Sequence, residues 1–212
     1  MPEPRTKGSG GSPVPRGPRL RVGDQIVLAL VLVAASFAVH HTTAQRVLGA
    51  SLAVVLVIAT ARDLKSRKIP NWLTGPASLW ALVVGALLHP SGLGDQAIAG
   101  LVAGGFLFIF AMIYPKGLGM GDAKLAFVIG LYLSSAAAVA MVIGIVGSAL
   151  AGVIVLFSRG VKEGRKVGLP LAPFLAVGGV VAILVGPEIV HWYSQHQALS
   201  VQVNNGVSSN GR

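Results

Sequence analysis

The sequence predicts an all-α bundle that crosses a membrane about seven times, and three observations predict it. Apolar residues make up 53% of the 212 residues and charged residues only 11%, with a mean hydropathy of +0.73; that balance belongs to an integral membrane protein rather than a soluble domain. The apolar residues come in long runs, most of them close to the ~20 residues that a bilayer core requires. The basic residues fall in short blocks between those runs, so the net charge of +10 reads as a topology signal and not as a nucleic-acid footprint. The lipid bilayer is the expected partner, and no nucleic acid is.

Taken in order, residues 1–24 hold five Gly, five Pro and five basic residues, the composition of a disordered basic tail. The apolar run 25–40 follows as a signal anchor. Ser36-Phe37-Ala38 also fits a cleavage site, and removal of this segment would leave six spans. A second span is expected at 47–62, a third at 72–89 with a soft break at Gly75-Pro76, and a fourth at 96–114. Residues 122–158 carry one charge after Asp122, Lys124. As one helix they would reach ~55 Å against a ~30 Å core, so they must fold into two, and Ser134-Ser135 is the polar break. The fifth span is then 122–134, the sixth 136–158 and the seventh 169–187. The transmembrane domain is 25–187; residues 188–212 form a short external tail, disordered after about 203.

Orientation follows from Lys and Arg. With the N-terminus inside, 15 of the 17 basic residues lie in cytoplasmic segments, and only Arg46 and Arg212 fall outside. Two spans separate Asp63 from Asp122, so both acids return to the cytoplasmic edge.

Those two acids are the candidate site. Asp122 follows Gly117-Leu118-Gly119-Met120-Gly121. Glycine at every second position is a poor helix interior but suits a tight turn that lets another chain approach. An acid at a span edge points to function, and to a partner; the partner is Asp63, in Arg62-Asp63-Leu64-Lys65-Ser66-Arg67-Lys68-Ile69-Pro70-Asn71. Each acid has a lysine two residues on, Lys65 and Lys124, as electrostatic support. Facing carboxyls can share a proton, one acting as base on water and the other as acid on a carbonyl oxygen. The fifth span is short, which either recesses its outer end or draws Asp122 into the membrane, where irregular backbone must be buried or line water. By position on a helix, Asp122 at the start of its span is the expected ionised base, and Asp63 at the end of its span the protonated acid.

Other features have simpler readings. His40, His41, His89, His191 and His196 all fall on the outer side as interfacial residues, so no metal is expected. Trp72, Trp80, Trp192 and Tyr193 read as interface anchors. Gly100-xxx-Gly104 and Gly144-xxx-Ser148-xxx-Gly152 are small-residue helix contacts. The absence of Cys excludes a thiol nucleophile, a disulfide framework and a thiolate zinc site, and there is no Gly-x-Ser-x-Gly or His-Glu-x-x-His motif.

Three motifs then carry a resemblance. Asp63-x-x-x-x-Lys68-Ile69-Pro70-Asn71 resembles the first aspartate motif of the type IV prepilin peptidases. Gly119-Met120-Gly121-Asp122-x-Lys124 resembles their Gly-x-Gly-Asp motif, and Pro170-Leu171-Ala172-Pro173-Phe174-Leu175-Ala176-Val177-Gly178 a late-span Pro-Phe-Gly-Pro-Phe-Leu-Ala-x-Gly stretch in which Leu171-Ala172 replace Phe-Gly. The resemblance covers roughly 45–180. It implies an intramembrane aspartic endopeptidase of the bacterial cell membrane, with Asp63 and Asp122 catalytic and Gly119 and Gly121 in the active-site loop. It would remove the basic leader of prepilins or pseudopilins at the cytoplasmic face, without a cofactor. Longer members carry a Cys-x-x-Cys methyltransferase domain; this Cys-free chain is similar to the peptidase-only form found with Flp pili and competence-like systems. The alternative is a non-enzymatic membrane module, a transporter subunit or pilus-assembly scaffold. A transporter predicts acids near the midplane and an internal repeat. No feature of the sequence speaks to oligomeric state.

Overall fold

The computed structural model describes residues 22–39, 42–114, 118–159, 170–186, 188–189 and 192. These residues form helices joined by short turns, with no strand among them. The helices are α1 (Val22–Val39), α2 (Thr43–Ser66), α3 (Asn71–Leu88), α4 (Leu93–Ile113), α5 (Met120–Leu133), α6 (Ala137–Arg159) and α7 (Ala172–Gly186). Each expected span has its helix. α1 begins at Val22, inside the segment assigned to the tail. The rest of that tail, the basic residues of 160–169 and most of 188–212 lie outside the described residues.

Local chemistry explains the boundaries. Thr42 opens α2, its Oγ1 accepting from Gln45 N at 3.3 Å, a side-chain cap. Arg67 closes α2 in the left-handed region (φ 51°), its N–H donating to the Asp63 carbonyl at 2.8 Å. Pro70 then sits immediately before α3, where its fixed φ suits an entry and its missing N–H costs little. Pro76 lies inside α3 without ending it, so the expected soft break is absorbed within one helix. Residues 120–158 form one long, predominantly apolar stretch, yet they split where expected. Ser134 takes φ 50°, ψ −127°, and a 3-10 turn, Ser134–Ala136, joins α5 to α6.

α5 is the centre of the bundle. It is in contact with α2, α3, α4 and α6, and Leu125, Ala126, Val128, Ile129 and Leu131 are fully buried. A helix apolar all round belongs in such a position. Leu52 and Leu56 of α2 and Leu175 of α7 complete the core. Small residues let the helices close up, at Gly100, Gly104 and Gly144 of the spaced small-residue patterns and at other glycines outside them. Gly100 and Gly104 of α4 lie against Leu131 and Phe127 of α5, while Gly130 meets the backbone of Ala99 and Gly100. Gly144 and Gly147 of α6 lie against Leu175 and Phe174 of α7. The buried side chain of Gln96 in α4 donates to the Ala81 carbonyl of α3 at 3.1 Å, in space that Gly85 leaves open.

The α4–α5 register places the short α5 within the length of α4. Pairing Gly104 with Phe127 and Gly100 with Leu131 leaves α4 extending about five residues past the end of α5 and about two past its start. Asp122 lies roughly opposite Ile109, about a turn inside the end of α4. The helices packed against α5 are all longer than it is.

Candidate active site

Asp63 sits on the last turn of α2, and only 6% of its surface is exposed. Asp122 sits on the first turn of α5. Its Oδ2 accepts from Gly119 N at 3.2 Å, and its own N–H donates to the Gly119 carbonyl at 3.0 Å. An acid three residues into a helix often reaches back in this way to satisfy an unpaired N–H. The Asp63 and Asp122 carboxyls lie within electrostatic range of one another where α2 meets α5. The two sequence-predicted acids, 59 residues apart in the chain, are therefore brought together.

Gly119 and Gly121 form the approach to Asp122 for distinct reasons. The N–H of Gly119 holds the carboxylate. Gly121 makes room for the α2–α3 link: a Cβ there would lie 3.2 Å from Ile69 Cβ and 3.3 Å from Ile69 N. Close approach is thus what the second glycine provides.

The lysines behave differently from expectation. Lys65 is exposed and, two residues on in a helix, points to the side opposite Asp63. Lys124 Nζ donates to Asn71 Oδ1 at 2.7 Å, joining the start of α5 to the start of α3. Neither lysine is directed at the carboxyl pair. The cation that acts on Asp63 is Arg67, while Arg62 lies over the Trp72 ring, 5.4 Å from its centroid. Lys68 is exposed. Trp72, expected as an interface anchor, is thereby also an anchor for Arg62.

The third motif reaches the site through its backbone. Pro170 precedes α7 and Pro173 lies in its first turn, where Phe174 N and Leu175 N donate to the Leu171 carbonyl at 3.0 and 3.1 Å. Ala172, fully buried, has its backbone N–H near the Asp63 carboxyl. Asp122 lies on the N-terminal turn of α5, and Asp63 lies near the N-terminus of α7 as well as on the last turn of α2. Chain direction alone therefore does not decide which acid is the base. Sequence reasoning also passed over Thr60, one turn before Asp63. Its Oγ1 and Asp63 Oδ2 are both buried without a hydrogen-bond partner among the described residues. A threonine three residues before a membrane-edge acid was the signal available, since positions i and i+3 share a helix face.

A helical membrane bundle that carries two neighbouring carboxyls from separate helices, one of them buried, defines a class of polytopic proteins with a paired-acid site. Residues 50–157, just over half of the chain, match the type IV leader peptidase family, and the chain belongs to that family. It is 29% identical over 147 residues to a prepilin leader peptidase/N-methyltransferase of Aeromonas hydrophila, covering 66% of this chain and 49% of that one. It is 34% identical over 144 residues to a protein of the same name from Bacillus subtilis (strain 168), covering 66% and 56%. The chain spans about half the length of the curated relatives it matches. No solved structure matches it.

Proposed function

We propose that the protein is an aspartic endopeptidase that removes the leader of type IV prepilins or pseudopilins at the cytoplasmic face of the bacterial cell membrane. The observation that carries this reading is the meeting of Asp63 and Asp122 in a chain of the leader peptidase family. One carboxylate takes a proton from a water molecule, whose oxygen attacks the scissile carbonyl carbon. The other, protonated, donates to the carbonyl oxygen. Collapse of the tetrahedral intermediate breaks the C–N bond, and a proton passes to the leaving amine. Asp63 Oδ2, which no donor among the described residues engages, is available for this chemistry. The basic blocks 62–68 and 159–166 support a cytoplasmic site. A transporter subunit would hold its acids near the bilayer midplane, whereas these two lie within about a turn of the helix ends.

Co-expression with candidate prepilins tests the reading, with leader removal read by mass. The wild-type chain cleaves at least one; Asp63→Asn and Asp122→Asn insert normally and cleave none, because Asn is neither acid nor base. Substantial leader removal by either variant would take that aspartate out of the mechanism.

A further inference from the structure

The link between α2 and α3, which follows Asp63, is pinned to the start of α5 at two points that bracket Asp122. Ile69, buried, packs on Gly121, immediately before Asp122. Asn71, the first residue of α3, accepts from Lys124, two residues after Asp122, at 2.7 Å across 53 residues of chain. Asp63 leads into the same link through Arg67, whose N–H closes on the Asp63 carbonyl. Two facing carboxyls repel when both are charged, and nothing in two helix ends by itself prevents them from splaying. A strut beside the pair opposes that.

We propose that Lys124 and Asn71 are a positioning pair: their hydrogen bond, together with the Ile69–Gly121 contact, sets the spacing between the Asp63 and Asp122 carboxyls. Lys124 acts as a donor to Asn71 and not as a charge for the acids or for a substrate leader. The kinetic consequence rests on the peptidase reading above; the spacing itself does not.

The test combines Lys124→Met, which removes the donor, with Asn71→Leu, which leaves the lysine charge in place and removes its acceptor. In prepilin cleavage each lowers kcat by about 10- to 100-fold, the cost of a misplacement on the order of 1 Å, with KM unchanged. The double variant is no worse than either single variant, since both break one interaction. The exchanged pair, Asn71→Lys with Lys124→Asn, recovers most of the rate. A harmless Asn71→Leu, or a rise in KM as the main effect of Lys124→Met, overturns the proposal, because each would assign the lysine's role to its charge. A second measurement needs no activity. With Asp63→Cys and Asp122→Cys in this Cys-free chain, a short thiol cross-linker joins the two positions readily. Adding Lys124→Met or Asn71→Leu cuts the yield several-fold, and the exchanged pair restores it. An unchanged yield overturns the strut. The expected cross-linking pattern in a protein that cleaves no prepilin would leave the strut standing and remove the peptidase reading instead.

Discussion

At the residue scale, the Gly-x-Gly-Asp turn shows why glycine is required where no unusual backbone angle calls for it. Gly119 has φ −80°, which any residue adopts. What matters at Gly121 is Ile69 at 3.2 Å from where a Cβ would stand. Gly121→Ala therefore needs only a few tenths of an ångström of give, whereas Gly121→Val presses on the segment that leads back to Asp63. We expect Gly121→Val to insert in the membrane and lose at least about tenfold in cleavage rate, since small misplacements at a reacting pair are costly. Gly75, which meets nothing within 4 Å, is the contrasting position. Gly75→Ala should keep activity and raise helix stability by up to about 1 kcal/mol. Parallel cleavage and thermal-unfolding assays in detergent check both. Equal loss of activity at the two positions would show that the turn needs flexibility rather than space.

At the element scale, α5 holds its place by backbone contact with α4. A Cβ on Gly130 would lie 2.6 Å from Gly100 Cα and 2.7 Å from the Ala99 carbonyl carbon, atoms that cannot rotate aside. Gly130→Leu must push the two helices apart, at a cost of at least the ~1–3 kcal/mol typical of overpacking. Because α5 carries Asp122, the loss should appear both as a lower unfolding midpoint and as lost cleavage, about two turns from the acid. A midpoint equal to wild type would mean that α4 and α5 are not packed in this register. The spacing Gly100-xxx-Gly104 already signals such a contact. Gly130 gives no such signal, because its partner lies on another helix and depends on the register between them.

At the scale of the whole molecule, the arrangement requires the chain to reverse at Ser134–Ala136, bringing the end of α6 back to the end that holds the acids. Single cysteines report this directly, since the chain has none of its own. In the proposed orientation, Ser66→Cys, Leu118→Cys and Ser158→Cys react only with reagents that enter the cytoplasm. Thr43→Cys, Ser91→Cys and Ser135→Cys react from outside. External labelling at Ser158 would make 120–158 a single crossing.

Much of this molecule is written locally. Apolar runs, their polar breaks and the basic blocks between them determine the number of helices and their ends, because a membrane demands that each crossing satisfy its own backbone hydrogen bonds. Parity of crossings alone puts Asp63 and Asp122 at one end. Other features depended on contacts between distant segments, whose geometry no local pattern carries. The sheathing of the short α5 by longer helices, the pairing of Lys124 with Asn71 instead of with an acid, and the nearness of the Ala172 N–H to Asp63 are all of this kind. Each arises from how helices settle against one another to fill space, and a side chain's partner is then whatever that packing brings within hydrogen-bonding distance.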